Sequence, residues 1–159
     1  MKYIVPHSRG GYDHALYWDY LESVREQMPS HIFEFASNTE NHDLTSPNSL
    51  HDSWLESWNI QERADPATRE YRSIQIDARF LGSRWDRYVH LTYKNVGRYE
   101  ISSPEGFAQP PSHKTGHGDL LVHEMRIVRD ALFAHELTFS RGSTFLVEFS
   151  DFEHRIELL

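Results

Sequence analysis

Eleven histidines in a chain of 159 residues are the first feature that could carry chemistry. His113 and His117 stand four apart with Asp119 close behind, and His51 is followed at once by Asp52. Imidazole and carboxylate groups are common zinc ligands, and the ion needs three or four of them at fixed geometry. His51, His113, His117 and Asp119 form the candidate metal set, and a metal-dependent hydrolase is the activity such a set would serve. A spacing of four puts two histidines on one face of a helix. Gly116 and Gly118 argue against a helix there, because glycine is costly in a helix interior.

Other pairings are less complete. His123-Glu124 and His135-Glu136 look like fragments of a zinc-protease motif, but each lacks the second histidine. His51-Asp52 invites comparison with His-Asp phosphohydrolases, whose all-helical scaffold does not suit the strand-like residues after Asp52. Capping of a strand entry by Asp52 and Ser53 is the structural alternative. No G-x-S-x-G elbow and no glycine-rich loop between a strand and a helix occurs. Glu136, Glu148 and Glu157 fall at outward strand positions and read as a solvated sheet face, as most of the histidines do. No catalytic residue is assigned and no cofactor is expected.

What remains is surface recognition. Trp85 sits in an expected hairpin turn between Arg84 and Asp86, with Arg87 beyond. Trp and Arg dominate interface hot spots, so Arg84, Trp85 and Arg87 are candidate partner-binding residues. Trp18 joins them because it lies opposite the apolar stripe of an expected helix. The alternative for Trp18 is a ring covered by a neighbouring loop, and for Trp85 a ring folded back over the sheet end.

The formal net charge of −8 argues against nucleic acid and anionic membrane as partners, since phosphate binding draws on clustered Lys and Arg. A basic protein suits it better. Without cysteine the chain has no disulfide, thiolate ligand or thiol nucleophile. The residues after Met1 show no apolar leader, and no apolar run approaches the ~20 residues of a membrane span, so a cytoplasmic protein is expected. The length suits one domain over residues 1–159, and 9 Phe, 8 Tyr and 4 Trp supply material for a core.

Positioning falls mainly to strands. Leu121, Met125 and Ile127, then Phe133, Leu137 and Phe139, then Phe145, Val147 and Phe149 recur with period two. Arg141-Gly142 reads as a hairpin turn. Beyond Ser150-Asp151 the apolar parity flips to Phe152, Ile156 and Leu158, which requires a turn or bulge. Upstream, a helix is predicted over residues 12–28, with Leu16, Tyr17, Tyr20, Leu21, Val24 and Met28 on one face and Pro29 as its stop. Strands are predicted at 31–35, 53–62 (Trp54, Trp58 and Ile60 on one parity), 71–81 and 88–94, and the chain bends toward Tyr99 and Ile101. Residues 37–49 read as a polar loop with local disorder, and 102–118 as a long functional or mobile loop. The expected fold is α+β: an antiparallel meander of seven to nine strands, curved or in two layers, with one main helix near the N-terminus.

Leu50-His-Asp-Ser-Trp-Leu-Glu-Ser57, Tyr88-Val-His-Leu-Thr-Tyr-Lys-Asn-Val96, residues 119–124 and Glu148-Phe-Ser-Asp-Phe-Glu-His154 resemble segments of small uncharacterised bacterial families. Some of these resemble immunity proteins of polymorphic toxin systems. The resemblance covers about residues 50–158, leaves the helix and the long loop unaccounted for, and carries over no catalytic residue. It implies a non-catalytic protein-binding domain, in the sharpest form an acidic inhibitor masking a basic toxin. The alternatives are the metal-dependent hydrolase and a structural homo-oligomer, in which short edge strands pair between copies.

Overall fold

The computed structural model describes residues 1–104 and 116–159, so His113 and most of the 102–118 loop lie outside the described residues. The architecture is α+β. A two-residue pair, β1 (Val5–Pro6) and β2 (Tyr12–Asp13), leads into α1 (Ala15–Val24). A 3-10 turn (Arg25–Gln27), α2 (Ser30–Ser37) and a second 3-10 turn (Thr39–Asn41) follow. Eight longer strands complete the chain: β3 (Trp54–Ala64), β4 (Arg72–Leu81), β5 (Arg87–Lys94), β6 (Arg98–Ser102), β7 (Leu120–Arg129), β8 (Leu132–Phe139), β9 (Thr144–Phe149) and β10 (Asp151–Leu158). They form two antiparallel four-stranded sheets, ordered β10-β5-β4-β3 and β6-β9-β8-β7. Including the two-residue pair the described residues hold ten strands, the eight longer ones within the seven to nine expected. No helix among the described residues is long and apolar enough to cross a membrane.

The apolar alternation builds the core as its period requires. Phe133, Leu137, Phe139, Phe145, Val147 and Phe149 in one sheet, and Ile76, Ala78, Phe80, Val89, Leu91 and Tyr93 in the other, are all buried. Aromatic contacts bridge the layers: Trp58 meets Phe145 edge-on at 4.9 Å and Tyr93 meets Phe149 at 5.2 Å. Gly142, at φ +84, turns β8 into β9. The parity flip at Ser150-Asp151 marks a change of sheet, since β9 pairs with β8 while β10 pairs with β5. Phe152 stays buried, whereas Leu158 has run past the core and is exposed.

Several expectations are corrected. Residues 31–35 are helical, within α2: Ile32, Phe35 and Ala36 are buried at the i, i+3, i+4 spacing of a helix face, and Pro29 accepts the first bonds from Ile32 and Phe33. Five residues are too few to separate that spacing from alternation. The helix over 12–28 resolves into α1 and a 3-10 turn, and Met28 is extended ahead of Pro29 as a pre-proline residue should be. Leu16 does not join the buried stripe and is 59% exposed. In β3 a register shift between Leu55 and Ser57 changes the parity, so Leu55 and Trp58 pack on the core while Trp54 turns to the outer face. In β7 a shift between Leu120 and Val122 buries those two residues and displaces Leu121 from the inward set. The loop at 37–49 is pinned: Thr45 donates twice to Asp43, the Asn41 side chain donates to Phe35, and Arg84 reaches the Thr45 carbonyl.

The outer edge of β7 is covered. Tyr17 and Tyr20, three apart on α1, accept from the β7 backbone N–H groups of Met125 and Ile127 at 3.0 and 2.7 Å. Glu124 is fully buried on the opposite face from the core, where its carboxylate accepts backbone N–H groups from Lys2, Tyr3 and Ile4. The Met1 amine lies against Glu136 beside it. Among the described residues β6 has no such cover, and all five of its residues are exposed.

Candidate functional site

A line of buried polar groups crosses the core. On β8, His135 shares the inward parity of Phe133 and Leu137; on β7, His123 stands opposite Leu137. Both rings are buried, 0% and 2% exposed. The Tyr93 hydroxyl lies 2.7 Å from His135 Nδ1, His135 Nε2 lies 3.0 Å from His123 Nδ1, and His123 Nε2 lies 3.3 Å from the Asn41 carbonyl. A carbonyl only accepts, and this fixes every proton in the chain. His123 must carry its hydrogen on Nε2, so its Nδ1 accepts from His135 Nε2–H. His135 Nδ1 in turn accepts the Tyr93 O–H. Each ring is neutral and has both nitrogens engaged.

Burial explains that neutrality, since a desolvated imidazolium is costly. Desolvation lowers His123 well below its ordinary value, reinforced by His135, and lowers His135 to about 3. His42 is lowered to about 2, first by burial and then by His123 and His14. The Tyr93 hydroxyl is pushed up by its burial. A base with no free nitrogen takes no proton from a substrate, so the chain from Tyr93 to Asn41 specifies a packed core and does not abstract protons.

The chain ends beside a cavity of about 370 Å³ where the 41–44 loop, the residues leading into α1 and the start of β7 meet. His14, His42, His51 and His123 all line it, with Asp43 and Leu44. His42 stacks on His123 with ring centroids 4.2 Å apart and planes 13° from parallel, and its Nε2 reaches the Ala36 carbonyl at 3.4 Å. A second, wider groove of about 640 Å³ lies between α2 and β10, lined by His31, Glu34, Asp151 and Glu153. Two of its carboxylates already have partners in this chain, with Lys94 against Glu153 and Asp151, and His31 2.9 Å from Asp151.

The candidate metal residues are distributed differently. His51 lines the cavity. Its Nδ1 is 3.1 Å from Asp52 Oδ1 but off the line of a hydrogen bond, which leaves that buried atom without an aligned partner. His117 Nδ1 meets Ser143 Oγ at 2.9 Å and its ring packs edge-on against Phe145. Asp119 accepts the Trp54 indole N–H at 2.6 Å. His113 is outside the described residues. Among those that are described, no three His, Asp or Glu side chains converge as a metal ion requires.

The partner-binding candidates also separate. Trp18 is partly buried, its ring 5.1 Å from His42 and 5.9 Å from His14, so loop and helix cover it. Arg87 is occupied by Asp86 and Asn48, and Arg84 by Thr45; these arginines brace the turn against the loop. Trp85 is 63% exposed at φ +59, a conformation in which a bulky side chain is uncommon. Its ring lies 5.6 Å from that of Trp54, itself 46% exposed. Exposed Leu44 is joined to this end through the Arg84–Thr45 bond, and exposed Leu159 through its N–H to Asp86.

Sequence reasoning missed His14 and His42, and met His123 and His135 only as fragments of a zinc-protease motif. The parity of His135 within the β8 alternation was the available signal, while His14 and His42 belong to no periodic pattern. No family model, curated protein or solved structure matches the chain.

Proposed function

We propose that this chain is a non-catalytic protein-binding domain that presents the Trp54–Trp85 end of its first sheet to a basic partner, as an immunity-type inhibitor of a basic toxin would. The carrying observation is Trp85, exposed in a tight turn at positive φ and braced from behind by Arg84 and Arg87. Rigid exposed tryptophans with apolar neighbours are the usual anchors of protein interfaces. The net charge of −8 steers a basic partner toward the chain. His123 and His135 engage one another, Tyr93 and the Asn41 carbonyl through all four ring nitrogens, so that pair offers no free base to a substrate.

The test uses the folded chain and its Trp54→Ala/Trp85→Ala variant as paired baits, with circular dichroism confirming equal folding. Truncating a central tryptophan costs about 2 kcal/mol or more, so a basic protein held by the parent should be lost from the variant. Its retention should also fall as salt rises. Equal capture by both baits, or capture of no basic protein, would overturn the proposal.

A further inference from the structure

We infer that the cavity beside Leu44 receives an arginine side chain from the partner; this inference rests on the protein-binding reading above. Leu44 is exposed and lines the cavity, and the Arg84–Thr45 bond ties its neighbour to the turn that carries Trp85. A partner seated on Trp85 therefore has the cavity mouth within reach.

The lining chooses the chemistry. None of the described lining residues is Lys or Arg, so among the described residues no cation fills the space. Acceptors, by contrast, are in surplus. His42 spends Nε2 on Ala36, which leaves Nδ1 an acceptor with no donor among the described residues. At the mouth, Asp43 uses Oδ1 for Thr45 and has its second carboxylate oxygen to offer. Desolvation keeps His14 and His42 neutral, so they accept hydrogen bonds without repelling a positive group. A donor-rich cation is the complement of such a lining, and the flat imidazole walls favour a planar one. Guanidinium is planar, carries five donors and stacks on aromatic faces, whereas an ammonium is a compact, strongly hydrated point charge. The groove at α2 and β10 fails the same comparison, because Lys94 already pairs with Asp151 and Glu153 and His31 takes up Asp151.

The experiment titrates the methyl-labelled chain with N-acetylarginine N-methylamide, its lysine and citrulline counterparts, and zinc chloride, following Leu44, Leu121 and Val122 by NMR. Arginine should give saturable shifts at these methyls. Citrulline, which keeps the shape and loses the charge, should bind about tenfold more weakly, as should arginine to His42→Phe or Asp43→Asn. Trp85→Ala should leave arginine binding unchanged while abolishing capture of the whole partner, so the two proposals fail separately. No shift with arginine, equal binding of citrulline or lysine, or a response to zinc alone would overturn the assignment.

Discussion

Acidification from about pH 7 to about pH 5 should cost this fold roughly 6 kcal/mol before most of its carboxylates titrate. His42, His123 and His135 are held neutral, with His42 lowered to about 2 and His135 to about 3. In the unfolded chain each returns to the ordinary value of about 6.5. The folded values are depressed, so the stability is fully present above about pH 6.5. It is lost as pH falls toward the folded values, because the unfolded state then binds protons that the folded state refuses. Each histidine contributes about 2 kcal/mol over that interval, against about 5 to 15 kcal/mol for the stability of a typical domain. Urea denaturation at stepped pH measures the slope, expected to reach at least three protons near pH 5, since burial lowers His14, His117 and His154 as well. His42→Phe keeps the ring stacked on His123, loses only the long bond to Ala36, and should reduce the slope by about one proton. A stability that stays flat between these pH values, or a slope indifferent to His42→Phe, would refute the assignment of neutral buried rings.

Two further outcomes probe the scaffold. Glu124→Gln keeps the shape and removes the charge that accepts backbone N–H groups from Lys2, Tyr3 and Ile4, and should cost about 1 to 3 kcal/mol in thermal melts; an unchanged melting temperature would show that the N-terminal segment is not held there. Gly118 sits at φ +82 with Ser140 Oγ where a Cβ would go, so Gly118→Ala should destabilise by about 1 kcal/mol or more and displace the Ser140 bond to Asp119, a loss readable by chemical denaturation and amide exchange at Asp119.

The sequence by itself determined the ladder. Alternation follows from the strand's two-residue repeat, a local property of the backbone, so the inward sets of β4, β5, β8 and β9 were legible without neighbours. The same locality gives His135 the parity of Phe133 and Leu137, yet a lone histidine there reads equally as solvated, and only the packing shows it buried. Tertiary structure alone decided that the break at Ser150-Asp151 carries β10 across to β5, because a parity flip announces a change of face and not which strand receives it. It also decided that residues 31–35 coil against β10, where burying Ile32, Phe35 and Ala36 together outweighs a weak local preference. The histidine cavity belongs wholly to that second class. His14, His42 and His123 come from a helix entry, a loop and a strand far apart in the chain, and only packing of the layers sets their rings side by side and dry enough to stay uncharged.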